Sequence, residues 1–245
     1  MIYSCLLIPI YNHKDTIGDV LDQVALFRLP CIIINDGSDT ATQRVLEEQE
    51  KQRKWVHVLH LSRHGGKGMA VQAGLLRACD MGYSHALLID ADGQHNTQDI
   101  PRFLAEAASC PKALILGKPV FGKDAPQSRV VGRKISQFWV WVETLSCSIG
   151  DPLCGFRVYP VPSAAALIKK APLGSGMEFD TEMAVRLYWE GVPMRNVGTT
   201  VIYPEDGLSH FRVFYDNLRI SWLHTRLFFS MLSRIPQLLL VRKNA

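Results

Sequence analysis

Two carboxylates, Asp90 and Asp92, stand one residue apart at the end of an apolar run, a pattern that can bind a cation. They lie in ALLIDADGQHNTQDI, residues 86–100. On extended backbone such side chains point to opposite faces, but a strand that turns into a loop lets both approach one ion. Mg²⁺ and Mn²⁺ prefer oxygen ligands and share them with substrate phosphates. Asp90, Asp92 and the amide oxygen of Gln94 are therefore a candidate metal site, with a plain surface turn as the alternative.

Short apolar runs alternate with amphipathic segments, and this alternation predicts the elements that position the acids. The β-rich runs are 3–10, 30–35, 55–61, 85–90 and 112–117, and residues at helical spacing separate them. Strand, helix and strand in repetition predict an α/β fold, with a mostly parallel sheet covered by helices on both faces. Ligands of such sheets bind beyond the carboxyl ends of the strands.

Polar residues follow the first four predicted strands, so the topology brings them to one edge of the sheet. They are Tyr11 and Asn12, Asp36 and Ser38, the 62–68 loop, and the Asp90–Asp92 pair. Taken alone, Asp36-Gly37-Ser38 is typical of a turn that caps a helix. The GGKG of residues 65–68 matches neither the P-loop nor the dinucleotide-binding glycine pattern. Its Lys67 is a candidate positive charge for phosphates, with a solvated loop lysine as the alternative.

Composition narrows the class of protein. The 245 residues, 47% hydrophobic and 20% charged, suit one large globular domain or a domain with a short appendage. The net charge of +4 falls short of the clustered excess typical of nucleic-acid binding, but it suits an anionic small molecule or a membrane surface. The 6 cysteines form no CxxC pair, and the N-terminus lacks a basic leader. Both features favour a cytoplasmic protein with reduced thiols.

Five segments, in order, resemble the family 2 glycosyltransferases with a GT-A fold. They are IPIYNHKDTI, IINDGSDT, GGKGMAVQAG, DADGQH and DPLCGFRVY. The resemblance is to the branch of dolichol-phosphate mannose synthases and polyprenyl-phosphate glycosyltransferases. It predicts a Rossmann-like domain over residues 1–210, with a nucleotide-sugar half (1–120) and an acceptor half (121–210), followed by a helical extension (211–245).

The resemblance implies transfer of a sugar from a nucleotide-diphosphate donor with inversion at the anomeric carbon. In the family the residue matching Asp36 holds the base or ribose, and those matching Pro9 and Tyr11 frame the base. The donor-binding residues implied here are Pro9, Tyr11, Asn12, Asp36, Lys67 and Asp90. Asp90, Asp92 and Gln94 would hold Mg²⁺ or Mn²⁺, which stabilises the charge that develops on the diphosphate.

Two departures from the family pattern concern the nucleotide. The motif YNE reads YNH, with His13, and DDGS reads NDGS, with Asn35. Both remove negative charge near the base, so the identity of the donor stays open. Neither departure changes the Asp90–Asp92 pair.

The acceptor half carries a basic helix and a cluster of acids. Residues 124–147 predict a helix with Arg129 and Arg133 near its start. The resemblance implies that these arginines meet an acceptor phosphate and that Asp151 and Arg157 lie near the site; a plain amphipathic helix is the alternative.

Acids at the opening of a later helix supply the candidate base. Glu178, Asp180 and Glu182 stand there, and Asp180 and Glu182 differ in face. Asp180 is favoured as the base for a hydroxyl acceptor, with helix capping as the alternative. A phosphate acceptor is already a nucleophile and needs no strong base. The candidate catalytic residues are Asp180, as the base, and Asp92, as a metal ligand.

The last segment predicts contact with lipid. EDGLSHFR resembles the G-x-S-K element of polyprenyl-phosphate enzymes, with Ser209 conforming and His210 in place of lysine. Residues 211–245 contain no uncharged run near the ~20 residues that a span needs. Their apolar residues at helical spacing, with arginines between them, predict an amphipathic helix in the headgroup region. Packing on its own domain or on a twin subunit, as in a homodimer, is the alternative.

The sequence thus predicts a metal-dependent glycosyltransferase, cytoplasmic and peripheral on the inner face of a membrane, that acts on a lipid-linked acceptor, polyprenyl phosphate. One alternative is a hydroxyl-directed transferase of lipid or cell-envelope glycan synthesis. A nucleotidyltransferase is disfavoured because PIYNHKD is not the Gly-rich loop such enzymes carry after their first strand. A non-catalytic nucleotide-sugar-binding protein is the remaining alternative.

Overall fold

The computed structural model describes residues 2–120, 127–200 and 213–244, and its strands and helices alternate as the sequence predicts. The described strands are β1 Ser4–Ile10, β2 Cys31–Asn35, β3 Val56–His60, β4 His85–Leu88, β5 Leu114–Val120, β6 Arg157–Pro160 and β7 Met194–Thr200. The described helices are α1 Ile17–Ala25, α2 Thr40–Gln52, α3 Lys67–Asp80, α4 Ile100–Ser109, α5 Gln127–Thr144, α6 Val161–Lys170, α7 Phe179–Trp189, α8 Val213–Leu232 and α9 Ile235–Asn244.

The described strands form one sheet in the order β3-β2-β1-β4-β6-β5-β7. Its pairs are parallel except those of β6, which runs antiparallel to both β4 and β5. The other strands therefore point their carboxyl ends to one edge, and the prediction of a mostly parallel α/β sheet is confirmed. The sequence did not reveal β6, because its four residues follow a loop rich in proline and glycine and are too few to show a period.

The core lies on both faces of the sheet, because strand side chains alternate between the faces. All seven residues of β1 are buried. Leu6 and Ile8 belong to one apolar cluster, which contains the inner face of α1, whereas Leu7 belongs to a second cluster with residues of α3. Helices thus cover both faces, as predicted.

The C-terminal segment forms two described helices, whereas the sequence predicted one amphipathic helix. Pro236 lies in the first turn of α9, where proline is tolerated, but its ring would disrupt a continuous helix. One side of α8, with Leu223, Leu227 and Met231, belongs to the same apolar cluster as β1 and α3, so this segment packs on its own domain. The opposite side leaves Trp222 and Phe229 exposed.

In the described part of the chain, no helix combines the length and the apolar composition needed to cross a bilayer. The six cysteines are free thiols. Cys5 and Cys31 are buried in the core, and burial raises the pKa of Cys5 to about 12.

Candidate active site

The site lies at the edge where the parallel strands end. The loops after β1, β2, β3 and β4 bring Tyr11, Asp36, His64 and Asp90 to this edge. The predicted strand-end residues are therefore gathered by the topology. Helices α3 and α7 begin at the same place and add Lys67 and Asp180.

Lys67 stands at the centre of the site, between two carboxylates from different elements. Its Nζ lies 2.8 Å from Asp90 Oδ1 and 3.1 Å from Asp180 Oδ2. His95 Nε2 lies 3.1 Å from the other Asp90 oxygen. Lys67 is the first residue of α3 and is largely buried, so the alternative of a solvated loop lysine is wrong.

The charges of this cluster depend on one another. Burial alone would lower the pKa of Lys67, but the carboxylates of Asp180 and Asp90 outweigh it and raise that pKa. Burial alone would raise the pKa of Asp90, but Lys67 and His95 hold it well below its usual range. The cluster is therefore an ion network of an ammonium and its acids.

Asp92 differs from Asp90 in its surroundings. Its Oδ1 accepts the backbone N–H of Gln94 at 3.0 Å, and among the described residues no hydrogen bond reaches Oδ2. Burial, together with the negative charge of Asp90, raises the pKa of Asp92. A cation beside Asp92 would relieve that repulsion, so these oxygens suit a hard divalent ion.

The protein does not form a closed metal cage in its described part, where no group of three or more His, Cys, Asp or Glu side chains is arranged around one point. Mg²⁺ usually takes one or two carboxylates and completes its shell with water and substrate phosphates. Asp92, with Asp90 and Gln94 beside it, therefore fits an ion that arrives with a diphosphate.

Close glycines let three loops meet at the Lys67 cluster. A Cβ on Gly155 would lie 2.6 Å from Asp90 Oδ2 and 2.9 Å from Lys67 Nζ. A Cβ on Gly68 would lie 2.6 Å from both the Gly174 carbonyl oxygen and Phe179 Cβ. The backbone of Met69 also donates to the Ser175 carbonyl at 3.1 Å. The GGKG segment thus packs α3 against the loop that leads to Asp180.

Asp36 holds the loop after β3. Its two carboxylate oxygens accept the backbone N–H groups of Gly65 and Gly66 at 2.7 and 2.8 Å, and His64 Nδ1 lies 2.9 Å from Oδ2. Asp36 is almost fully buried, so it fixes the entry to α3. The imidazole of His64 is stacked on Tyr11 with 3.9 Å between the ring centroids, which leaves an aromatic pair at the edge.

Asn12 joins the loops after β1 and β2. It has a positive φ of 56°, and its Oδ1 accepts the backbone N–H of Asp39 at 2.9 Å. Asn35 Oδ1 accepts the Ser38 N–H, and its Nδ2 lies 3.0 Å from His60 Nδ1. The asparagine of NDGS therefore joins the turn after β2 to His60, the last residue of β3.

Arg157 lies beneath the site and not on its surface. It is fully buried and donates to the carbonyls of Pro152, Cys154 and Asp180. These bonds tie the 152–157 loop to the first turn of α7. Arg157 lies near the site, as expected, but the described hydrogen bonds of its guanidinium go to backbone carbonyls. Pro9 is likewise buried within β1.

The remaining predicted acceptor residues differ in what the structure shows of them. Arg133 Nη1 lies 2.9 Å from both oxygens of Asp151, which fixes α5 beside the 150–153 loop. Arg129 lies in α5, with a side chain outside the described atoms, and Ser209 and His210 lie outside the described residues.

The acids of α7 have separate surroundings, as their spacing predicted. Asp180 faces Lys67, and its Oδ1 is buried without a hydrogen-bond partner among the described residues. Glu182 is fully buried and binds Arg186, Arg226 and the Gly174 N–H. Among the described residues, no side chain forms a capping hydrogen bond at the start of α7. Asp180 pairs with Lys67 and does not cap the helix.

The sequence did not assign His95 and Gly155, both of which touch Asp90. His95 stands in the quoted GQH, and its position five residues after Asp90 was the available signal. Gly155 stands in DPLCGFRVY, but no local pattern indicates which distant side chain a glycine admits.

Comparison with known proteins relates this chain to glycosyltransferases. A family model described as glycosyl transferase family 2 matches residues 5–174. The undecaprenyl-phosphate mannosyltransferase of Micrococcus luteus is 25% identical over 214 residues, 83% of this chain and 85% of that protein. The polyprenol monophosphomannose synthase of Mycolicibacterium smegmatis is 26% identical over 214 residues, 84% of this chain and 80% of that protein.

A solved structure supports the same fold. The glucosyl-3-phosphoglycerate synthase of Mycobacterium tuberculosis, in complex with Mn²⁺, UDP-glucose and glycerol 3-phosphate, superposes with a TM-score of 0.64. It is 14% identical, and the match covers 94% of this chain and 80% of that one. The likeness shows the GT-A fold.

Proposed function

This chain belongs to glycosyltransferase family 2, and on that premise we propose that it transfers a sugar, with inversion, from a nucleotide-diphosphate sugar to a polyprenyl phosphate. Two relatives that match over most of their length are named as an undecaprenyl-phosphate mannosyltransferase and a polyprenol monophosphomannose synthase. Their names support the acceptor class proposed here.

One observation carries the proposal: Lys67 Nζ joins Asp90, from the donor half, to Asp180, from the acceptor half, at distances of 2.8 and 3.1 Å. Breaking the bond between sugar and phosphate leaves negative charge on the diphosphate. An ammonium at the first turn of α3, beside Asp90, is placed to offset that charge. Asp180, on the other side of Lys67, then faces the acceptor.

Metal dependence is part of the proposal. Asp92, with Asp90 and Gln94, would hold Mg²⁺ or Mn²⁺ when the donor binds. The ion would supply positive charge to the diphosphate. The raised pKa of Asp92 supports the assignment. Burial and the charge of Asp90 disfavour the ionised form of this carboxylate, and a bound cation would favour it.

The donor's base would meet the edge formed by the loops after β1 and β3. Tyr11 and His64 are stacked there, and Asp36 fixes the backbone that carries His64. Asp36 therefore positions this edge in our proposal, in addition to the ribose or base contact expected for it.

The acceptor phosphate would bind near the start of α5. Arg133 is held by Asp151, and a guanidinium fixed in this way suits recognition of a phosphate. A phosphate oxygen attacks without losing a proton, so Asp180 would then orient Lys67 and not act as a base.

A hydroxyl acceptor is the second candidate, and one observation favours it. Asp180 Oδ1 is buried and has no hydrogen-bond partner among the described residues, which is the environment of a base awaiting a proton donor. Asp180→Asn separates the two candidates. It should reduce turnover only modestly for a phosphate acceptor, but by about 10²-fold or more for a hydroxyl acceptor.

We further propose a peripheral location on the cytoplasmic face of a membrane, since the acceptor is lipidic. The possibility of a homodimer stays a prediction.

A screen of nucleotide sugars tests the proposal. Thermal unfolding with and without Mn²⁺ should identify a donor that raises Tm more when the ion is present. That donor, with polyprenyl phosphate, should give a glycosyl-phospholipid by mass spectrometry. A donor that binds but is never turned over would identify a non-catalytic binding protein, and binding of no nucleotide sugar would overturn the assignment.

A further inference from the structure

We propose that the outer sides of α5 and α8 form one docking face for an anionic lipid bilayer. The docking face consists of Ile135, Phe138, Trp139, Leu218, Trp222 and Phe229. The exposed fractions of these side chains lie between 38% and 66%. The inference rests on the proposed lipid acceptor, and it adds the helix α5 to the C-terminal segment that was predicted to contact lipid.

The docking face is continuous across the two helices. Phe138 and Trp139 of α5 lie 5.8 Å apart between ring centroids, and Trp139 lies 6.2 Å from Phe228 of α8. Phe228 in turn lies 5.7 Å from Phe229. A row of aromatic rings therefore runs from one helix to the other, and aromatic rings are typical of the membrane interface.

The fold does not require these side chains to be apolar. The core side of α8 is supplied by Leu223, Leu227 and Met231, all buried, and that of α5 by Val140. Trp222 and Phe229 point away from that cluster and are exposed. A helix that buries one apolar side and exposes another is suited to a second apolar environment.

The charges around the docking face match an anionic surface. Among the described side chains of α5 and α8, the acids Glu143 and Asp216 are buried. Lys134, Arg219 and Arg226 are basic and exposed. Arg219 and Arg226 pair with Glu178 and Glu182, but both of these acids are buried behind them. Basic side chains near an apolar face strengthen binding to anionic lipids, and added salt weakens that binding.

The docking face also continues into the acceptor side of the proposed site, which favours a bilayer over a second copy of the chain. Arg133 ties α5 to Asp151, and Arg226 Nη2 ties α8 to Glu182 Oε1 at 2.7 Å. Glu182 lies two residues after Asp180. A bilayer on this face would therefore present its phosphates beside the 150–153 loop and beside α7, the helix that adds Asp180 to the Lys67 cluster.

Cosedimentation of the full chain with vesicles tests the proposal. Vesicles of phosphatidylcholine and phosphatidylglycerol should bind the protein, and added salt should weaken this binding. Vesicles of phosphatidylcholine alone should bind the protein more weakly than the mixed vesicles. The triple variant Phe138→Ser, Trp222→Ser, Phe229→Ser should bind at least about tenfold more weakly. Leu26→Ser changes a still more exposed apolar residue, which follows the last residue of α1; it is the control and should bind as the wild type.

Two further measurements keep this result independent of catalysis. The triple variant should retain its Tm and its transfer to a short-chain acceptor in detergent, while losing transfer to acceptor held in vesicles. Vesicle binding that depends on the face, without any transferase activity, would remove the proposed function and leave the docking face standing. A triple variant that binds vesicles as well as the wild type would overturn the proposal, as would a wild type that ignores vesicles and dimerises through this face.

Discussion

Lys67 carries the charge balance of the site, because its ammonium lies between two acids that would otherwise repel each other. We predict that Lys67→Met lowers the free energy of unfolding by about 3 kcal/mol, the usual cost of leaving a buried acid, here Asp180, without its cation. Urea unfolding measures this change, and turnover should be lost in the folded fraction. Lys170→Met, which removes the exposed partner of Glu190, is the matched control and should change little. Equal stability of the two variants would refute the assigned network.

Asp92 is the carboxylate through which the metal assignment can be tested. We predict that Asp92→Asn weakens Mn²⁺ binding, measured by the free-ion electron paramagnetic resonance signal in the presence of a nucleoside diphosphate. Turnover should fall on the order of 10²-fold, because the leaving diphosphate loses stabilisation.

Asp80→Asn, at the far end of α3, should match the wild type in both measurements. Unchanged ion binding by Asp92→Asn would remove Asp92 from the metal site, whatever its activity.

At the residue scale, the sequence indicated which side chains lie at the site but not which hydrogen bonds they form. Asp90, Lys67 and Asp180 were proposed from motif positions, and the structure brings them together. The fully buried Arg157, expected near a ligand, donates to three carbonyls. Hydrogen-bond partners depend on angstrom-scale loop geometry that residue spacing does not encode.

The contact between α3 and the 174–178 loop is the element-scale feature that aligns Lys67 with Asp180. We predict that Gly68→Ala destabilises the protein by about 1–3 kcal/mol, the usual cost of overpacking, because its Cβ would lie 2.6 Å from the Gly174 oxygen. Turnover should fall with it, since either α3 or the loop must move. Urea unfolding and initial rates provide the measurements.

Gly18→Ala is the matched control, because Gly18 also lies in a helix and a Cβ there meets nothing within 4 Å. It should stabilise the protein by up to about 1 kcal/mol through helix propensity. A Gly68→Ala protein as stable and active as Gly18→Ala would show that this contact does not align the site.

Elements with a clear period were predictable, and elements defined by long-range packing were not. The five predicted strands occur as β1 to β5, because apolar β-branched runs between turns are a local signal. The short β6 joins the sheet through pairing with β4 and β5, which no local pattern encodes. The core role of α8 was left open for the same reason, since both of its sides are apolar.

At the scale of the whole molecule, the proposed docking face lies next to the elements that carry the candidate site. Arg133 binds α5 to the 150–153 loop, and Arg226 binds α8 to α7, the helix that carries Asp180. The fold therefore places the proposed acceptor surface and the proposed donor edge on either side of the same ion network. That arrangement suits the proposed transfer from a soluble donor to a lipid acceptor.

The most direct test is a comparison of two acceptors that differ only in the phosphate. The purified full-length protein is given its nucleotide sugar, Mn²⁺, and vesicles that contain either polyprenyl phosphate or the polyprenol of equal chain length. We predict a glycosyl-phospholipid from the first acceptor and no glycolipid from the second, because the phosphate is both the group bound and the nucleophile. Glycosylation of the polyprenol, or of neither acceptor while a hydroxyl-bearing glycan is modified, would contradict the account.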